Sequence, residues 1–195
     1  MTGRTRVATA ALILAAGLGT RFGGRKLLAP IDAHPMLQHV LDLCAHAGLQ
    51  PVVVVLGNDA DELEMACTWH DELRVRNPTP ENGLAGSVAL GMGTLSRLKS
   101  DRAAVLMGDQ PFLTPDQLKV ILSTRGQIVV PRYNGKPGNP VILDRSVWPL
   151  ARSLHGDRGF SQFFAAYGNL VTYVDLAGTN RDIDTPADLD TIKRA

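Results

Sequence analysis

The chain has 195 residues, of which 45% are hydrophobic and 20% charged, a balance typical of one globular domain spanning residues 1–195 rather than of a disordered chain. The formal net charge is only +1, so the overall electrostatics give no indication of a nucleic-acid or membrane partner. No apolar run reaches the roughly 20 residues that a membrane-spanning helix needs, and we therefore expect a cytoplasmic protein.

Short apolar runs alternate with amphipathic stretches along the chain. Strands are predicted at 7–16, 51–56, 73–76, 103–107, 128–131, 141–143 and 170–175. Helices are predicted at 36–47 (closed by Gly48), 60–71, 84–98, 146–154 and 160–167, and two more start at Pro115 and Pro186, each after a capping threonine. This alternation favours a single-domain α/β fold with a mostly parallel, doubly wound, Rossmann-like sheet.

Ligands of such sheets bind outside the carboxyl ends of the strands. Three polar segments follow predicted strands in this chain: the loop after Ala16, the residue Asp109, and the segment after Asp175. We therefore expect the chemistry to lie along one edge of the sheet.

The loop after the first strand is rich in glycine, and residues 12–26 read LILAAGLGTRFGGRK. Small residues let backbone N–H groups approach phosphate oxygens closely. Arg21 and Lys26 could neutralise the charge that the N–H groups only surround. The structural alternative is a tight turn that carries solvated basic residues.

The segment partly matches two familiar nucleotide-binding motifs but departs from both. A dinucleotide-binding fingerprint needs a glycine where Phe22 stands and an acidic residue after the second strand, where residues 56–58 read Leu-Gly-Asn. A Walker A loop would run from Gly19 to Gly24 and continue with Lys and Ser or Thr, whereas residues 25–27 read Arg-Lys-Leu. Both failures point to a nucleotide loop of another kind.

The segment LAAGLGTRFGGRK resembles the signature L-A-[AG]-G-x-[GS]-x-R-[FM]-G, followed by Lys, of nucleotidyltransferases with a glycosyltransferase-A-type fold. Within these enzymes the chain most resembles the molybdenum cofactor cytidylyltransferases and their guanylyltransferase relatives. The resemblance covers nearly the whole chain, because later motifs occur in the same order: NPTPENGLAGSVALG, GDQPF, GKPGNPVIL, GDRG and DIDTPADL. It implies a sheet of the nucleotide-diphospho-sugar transferase type.

The carboxylates indicate a Mg²⁺ site. Asp109 ends a buried strand, where a carboxylate is costly without a cation, and Mg²⁺ favours one or two carboxylates plus substrate phosphates. The alternative is an aspartate that only caps the next turn. The resemblance assigns Asp109 and Asp182 as the metal ligands, but alternation puts Asp182 and Asp184 on the same side, so the sequence does not separate these two. Asp188 is more typical of the first turn of a helix.

The reaction that the resemblance implies is attack by a substrate phosphate on the α-phosphorus of a nucleoside triphosphate, with loss of pyrophosphate. Such chemistry needs positioning and charge neutralisation more than a protein base. We expect Arg21, Lys26 and Asp109 to be catalytic, with Lys26 at the α-phosphoryl group and Arg21 with the loop N–H groups at the pyrophosphate portion.

Residues 77–91 resemble the base-contacting region of the family, with packing of a helix entry as an equal alternative. The single residue Ala16 favours CTP over GTP, since relatives with glycine there tend to use GTP. The residues that we expect to bind the nucleotide are Leu14, Ala15, Ala16, Gly17, Gly19, Thr20, Arg21, Lys26, Asn77, Gly83 and Ser87.

The acceptor is expected to be molybdopterin, bound by residues 135–140 and 156–159. Cytidylyltransferases that act on molybdopterin usually continue GD-x-G with Ala-Arg, whereas this chain has Phe160 and Ser161, and only Arg158 could replace the missing charge. Two alternatives therefore stay open: a sugar or polyol phosphate acceptor, and a non-catalytic nucleotide-binding factor that delivers cofactor to a molybdoenzyme.

Overall fold

The computed structural model describes residues 9–156, 159–160, 164 and 166–192. Its strands are β1 (Thr9–Ala15), β2 (Pro30–Ile31), β3 (His34–Pro35), β4 (Val52–Leu56), β5 (Leu73–Arg76), β6 (Arg102–Met107), β7 (Ile128–Tyr133), β8 (Lys136–Pro137), β9 (Val141–Asp144) and β10 (Val171–Leu176). Its α-helices are α1 (Met36–His46), α2 (Ala60–Ala66), α3 (Leu84–Leu95), α4 (Pro115–Ser123) and α5 (Pro186–Ile192). Short 3₁₀ turns lie at Thr20–Phe22, Lys26–Leu28, Pro80–Asn82, Arg145–Ser153 and Gly168–Leu170.

The main sheet has the strand order β10-β7-β9-β6-β1-β4-β5, and β8 pairs with β7. Neighbouring strands run parallel except that β9 is antiparallel to both β6 and β7, and β8 is antiparallel to β7. The strand β1 lies between β6 and β4, with Leu12 level with Val105 and Val53. The predicted α/β fold with a mostly parallel sheet is confirmed.

Both faces of β1 are covered, which explains its unbroken apolar sequence. Ala11 and Ile13 face the core layer that includes α1, whereas Ala10 and Leu12 face the layer that includes α3. The helix α3 lies very close to the sheet at Gly91. A Cβ atom at this position would be 2.2 Å from a methyl group of Leu12, so a glycine is needed for this approach.

The helix predicted at 60–71 ends early, at Ala66. The reason is a contact from α1: the side chain of Gln38 accepts from the Thr68 N–H at 2.7 Å and donates to the Thr68 carbonyl at 3.2 Å. Those backbone groups are therefore satisfied outside a helix.

The segment predicted as a helix at 146–154 is a 3₁₀ segment, Arg145–Ser153, with Pro149 inside it. Proline lacks an N–H donor and disrupts a regular α-helix. The predicted helix at 160–167 lies partly outside the described residues.

The predicted helix boundaries at α1 and α4 are confirmed by their caps. Gly48 follows α1 with a φ of +65°, in the left-handed region that favours glycine. Thr114 accepts from the Gln117 N–H at 3.2 Å while the Gln117 side chain accepts from the Thr114 N–H at 3.0 Å, which is a capping box. No helix among the described residues is both long enough and apolar enough to span a bilayer.

Candidate active site

A cleft of about 460 Å³ opens at the edge of the sheet where β1 and β6 end. It is lined by the glycine-rich loop, the start of α3, the end of β6 and the segment before α5. The predicted site residues that line it are Leu14, Ala15, Ala16, Gly17, Gly19, Thr20, Arg21, Lys26, Gly83, Ser87, Asp109 and Asp182.

A larger groove of about 1090 Å³ lies at the opposite edge, beside Thr9 and Arg102 at the amino ends of β1 and β6. Ligands of open α/β sheets bind at the carboxyl edge, and the carboxylates and the glycine-rich loop are there. We therefore take the smaller cleft as the candidate site.

The glycine-rich loop folds back on itself through left-handed backbone conformations. Gly19 has a φ of +59°, and its carbonyl accepts from the N–H groups of Phe22 at 2.9 Å and Gly24 at 3.0 Å. A Cβ atom on Gly19 would lie 3.2 Å from the Cβ of Lys26, so glycine permits both the turn and the approach of the lysine. The loop thus brings Lys26 back to the end of β1.

Gly57, just after β4, is in contact with the backbone of the same loop. A Cβ atom at Gly57 would lie 2.9 Å from both the Cα and the carbonyl oxygen of Ala16. The wall of the cleft at Ala16 is therefore fixed from behind by the neighbouring strand.

Lys26 and Arg21 are held by carboxylates from distant parts of the chain. The Lys26 Nζ lies 2.5 Å from Asp109 Oδ2 and 3.3 Å from Asp184 Oδ1, and Arg21 lies 3.0 Å from Asp184 Oδ2. Burial opposes the charge of Lys26, but the charges and hydrogen bonds of Asp109 and Asp184 outweigh it and raise the pKa of this lysine. Asp184 is therefore the shared counterion of Arg21 and Lys26, the two side chains that are predicted to bind phosphate.

The segment 182–184 is anchored by its middle residue. Ile183 is fully buried, and its N–H donates to the carbonyl of Asp109 at 3.1 Å. Because successive residues of an extended chain point to opposite sides, Asp182 and Asp184, on either side of the buried Ile183, both reach the cleft.

Asp182 has different neighbours from Asp184. Burial raises the pKa of Asp182, and the charge of Asp109 raises it further, while a hydrogen bond from Gln110 acts in the opposite direction. That bond joins Gln110 Nε2 to Asp182 Oδ1 at 2.5 Å. The geometry therefore separates the two aspartates: Asp182 faces Asp109 and Gln110, whereas Asp184 pairs with the basic residues.

The carboxylates fit a divalent cation. Among the described residues no donor reaches the buried Oδ1 atom of Asp109, and the charge of Asp109 raises the pKa of Asp182. A hard cation would satisfy the first atom and relieve this repulsion. In the described part of the chain, no group of three or more His, Cys, Asp or Glu side chains converges to hold a metal, but Mg²⁺ commonly uses only one or two carboxylates with substrate phosphates.

Asp188 caps α5. Its Oδ2 accepts from the N–H and the hydroxyl of Thr185 at 2.8 and 2.7 Å, and these bonds lower the pKa of the carboxyl group. This is the structural role that its position in the sequence indicates.

Asn77 lies behind the cleft rather than in its lining. Its Nδ2 donates to the hydroxyl of Ser87 at 3.0 Å, and its Oδ1 accepts from the Thr79 N–H at 3.0 Å. Only 7% of Asn77 is exposed, so it supports Ser87, which lines the cleft together with Gly83.

Of the two segments expected to bind the acceptor, 135–140 and 156–159, none of the described residues lines this cleft. Gly138 packs against the Tyr133 ring, where a Cβ atom would lie 2.9 Å from a ring carbon. Gly156 accepts from the Ala85 N–H at 3.0 Å, and Phe160 is buried in the core layer that includes α3. Arg158 and Ser161 lie outside the described residues.

Several residues of the site were not singled out from the sequence. Glu81 and Leu84 line the cleft. Gln110 and Asn180 do not line the cleft, but Gln110 donates to Asp182 and Asn180 donates to Gln110. Gln110 follows Asp109 directly, but an amide before a proline is also typical of an ordinary turn, so no local signal distinguishes it.

Residues 11–171 match the family described as the MobA-like NTP transferase domain. The bifunctional protein GlmU of Bordetella petrii is 36% identical over 119 residues, which is 60% of this chain and 26% of that protein. The chain thus spans about a quarter of the length of the curated relatives it matches.

Solved structures share the fold over the full chain. Rv0371c from Mycobacterium tuberculosis H37Rv superposes with a TM-score of 0.85 at 26% identity, covering 98% of this chain and 100% of that one. A structure of Rv0371c in complex with manganese superposes with a TM-score of 0.82 at 24% identity, covering 96% and 99%.

Proposed function

Because the chain belongs to the family of MobA-like NTP transferase domains, we propose that it transfers a nucleoside monophosphate from a nucleoside triphosphate to a phosphorylated acceptor, with Mg²⁺. The observation that carries the proposal is the convergence of Arg21, Lys26, Asp109 and Asp182 on the cleft beside the glycine-rich loop. These residues come from distant parts of the chain, and Asp184 joins Arg21 to the Lys26–Asp109 ion pair.

The proposed reaction forms a bond between an acceptor phosphate oxygen and the α-phosphorus, and it breaks the bond from that phosphorus to the bridging oxygen of pyrophosphate. An acceptor phosphate is already ionised near neutral pH, so no protein base is required. The proteins that perform such transfers act mainly by positioning and by stabilising charge.

Arg21 and Lys26 are suited to hold the triphosphate, since they already bind an anion. Both contact the carboxylate of Asp184, and phosphate oxygens offer the same kind of negative acceptor. We propose that Lys26 stabilises charge at the α-phosphoryl group and that Arg21 and the loop N–H groups hold the pyrophosphate portion. Asp109 and Asp182 would hold the Mg²⁺ ion, which supplies neutralisation of phosphate charge when bound.

CTP is the proposed nucleotide. Ala16 lines the cleft, and its methyl group takes up room that a glycine at this position would leave free. A pyrimidine needs less room than a purine, which agrees with the alanine at this position.

Molybdopterin is the proposed acceptor, with a molybdoenzyme as the eventual recipient of the product. A sugar or polyol phosphate is the second candidate. The observation that favours it is Phe160, which is buried in the core at the point where molybdopterin cytidylyltransferases usually continue with Ala-Arg.

The test is a matrix of the four ribonucleoside triphosphates against molybdopterin and several sugar and polyol phosphates, with pyrophosphate release measured in Mg²⁺. We expect CTP with one acceptor class to exceed all other pairs. Nucleotide binding without pyrophosphate release from any pair would instead identify a non-catalytic factor.

Asp109→Asn is the matched test of the metal site, with Asp116→Asn as its control. Asp116 is exposed at the start of α4, beside the groove at the opposite edge of the sheet. We expect Asp109→Asn to lower kcat by at least about 100-fold, the range seen when a charge-stabilising group is lost. Near-normal turnover in Asp109→Asn would remove Asp109 from the catalytic site.

A further inference from the structure

A chain of side-chain amides leads from the turn before β9 to the carboxylate of Asp182. Asn180 Nδ2 donates to the Asn139 carbonyl at 3.0 Å and to Gln110 Oε1 at 3.1 Å. Gln110 Nε2 then donates to Asp182 Oδ1 at 2.5 Å. Gln110 is 8% exposed, so water competes little for these bonds.

The orientation of both amides follows from the first acceptor. A backbone carbonyl can only accept, so Asn180 must present its NH₂ group to Asn139. The same NH₂ group lies against Gln110, which must therefore present its oxygen to Asn180 and its own NH₂ group to Asp182. The direction of the whole chain is fixed without reference to any ligand.

The start of the chain is itself held by the sheet. The hydroxyl of Tyr133, at the end of β7, donates to the same Asn139 carbonyl at 2.9 Å. Burial raises the pKa of Tyr133 to about 12, so the phenol stays a donor at neutral pH. The amide chain thus links Tyr133, at the end of β7, to the segment after β10 through the Asn139 carbonyl.

We propose that Gln110 is a positioning residue, held by Asn180, that fixes the Asp182 carboxylate for cation binding. The proposal rests on the proposed function, in which Asp182 is a metal ligand. Gln110 donates to Oδ1 as a neutral group, so it fixes the rotation of the Asp182 carboxylate, which lines the cleft. A lysine or arginine in place of Gln110 would add a competing positive charge, which a neutral amide avoids.

The test uses Mn²⁺ alone as the probe, with free Mn²⁺ followed by electron paramagnetic resonance and no nucleotide present. We expect Gln110→Leu to weaken Mn²⁺ binding about 10- to 100-fold, as is typical when a group that orients a metal ligand is lost. Turnover assays should show a matching rise in the Mg²⁺ concentration for half-maximal rate.

Asn180→Asp tests the direction of the chain. A carboxylate at that position only accepts, so the Gln110 amide should turn its NH₂ group towards it and its oxygen towards Asp182. We expect this change to weaken Mn²⁺ binding at least as much as Gln110→Leu, although residue 180 does not line the cleft. It also carries the test if Gln110→Leu does not fold.

Gln117→Leu is the matched control, because Gln117 Nε2 donates to the Ala177 carbonyl and so anchors the same segment away from Asp182. It should bind Mn²⁺ as the parent protein does. Normal Mn²⁺ binding in folded Gln110→Leu and Asn180→Asp, with loss in Asp109→Asn, would overturn the positioning role and leave the proposed function intact. Normal binding in Asp109→Asn as well would reject the metal site, and the proposed function with it.

Discussion

Lys26 forms two ion pairs, one with Asp109 and one with Asp184. Lys26→Met keeps the length of the side chain and most of its apolar contact but removes the charge that lies between Asp109 and Asp184. We expect the variant to be less stable than the parent protein in the presence of a chelator, because Asp109 then loses its counterion and Asp184 keeps only Arg21.

The size of the effect follows from exposure. The side chain of Lys26 is 11% exposed, and those of Asp109 and Asp184 are 17% and 31% exposed. Breaking a buried pair costs about 3–5 kcal/mol, and the residual exposure of the partners places this cluster near the lower end, at about 3 kcal/mol. For a chain of this length that corresponds to a Tm lower by roughly 6–12 °C.

Arg25→Met is the control, since it removes the same charge from the neighbouring residue. Arg25 pairs with Glu62 at 3.1 Å, but the two side chains are 71% and 40% exposed. Exposed pairs contribute about 0–1 kcal/mol, so its Tm should fall by no more than about 4 °C. Thermal unfolding followed by circular dichroism at low salt compares the two variants.

The pH dependence has a definite sign. The pKa of Lys26 is raised in the folded chain, so its contribution is present below the ordinary lysine value of about 10.4 and is lost as the pH rises through the raised value. The deficit of Lys26→Met should therefore persist across neutral pH and close only in strong alkali. Equal Tm values for Lys26→Met and Arg25→Met at pH 7 would refute the reasoning.

Two further predictions concern stability. Asp182→Asn should be more stable than the parent protein at pH 7 in a chelator but inactive, because the raised pKa of Asp182 means that its ionisation opposes folding. This gain should be absent below the ordinary aspartate value of about 3.9 and develop as the pH rises towards the raised value, and urea unfolding with no gain at pH 7 would contradict it. Gly91→Ala should lose about 1–3 kcal/mol of unfolding free energy, since its Cβ would lie 2.2 Å from a methyl group of β1. Gly93→Ala, on the same helix with nothing within 4 Å of its Cβ, should gain up to about 1 kcal/mol, and shifts of the same sign in both variants would speak against the packing argument.

The strands and the glycine-rich loop could be predicted because their signals are local. Five consecutive apolar residues at β4 and the apolar run of β1 indicate strands covered on both faces. The end of α2 could not be predicted, because it depends on Gln38 binding the backbone of Thr68, 30 residues away.

Most of the predicted site residues line one cleft, but the orientation of their side chains could not be predicted from the sequence. Alternation placed Asp182 and Asp184 on one side of the chain, as observed, but their separate surroundings come from Arg21, Lys26 and Gln110, which are remote in sequence. A sequence motif likewise does not indicate which way a side chain points. Asn77, for example, points inward and donates to Ser87.

The same lack of tertiary information affected the acceptor side. The sequence motif places Phe160 at the expected acceptor site, whereas in the structure this residue lies in the core with the residues of α3. A large aromatic residue has more apolar surface to bury than a neighbouring glycine, and such burial dominated here over the position in the motif.

The contacts of Lys26 span 83 residues to Asp109 and 158 residues to Asp184. Contacts between such distant points close large loops, and they form only once the sheet between them has assembled. During synthesis the segment of β1 and the glycine-rich loop are therefore made long before the two carboxylates that pair with Lys26. Only a fully folded chain should then bind a nucleotide at this cleft. Nucleotide in the cell would therefore stabilise the folded chain relative to incompletely folded ones.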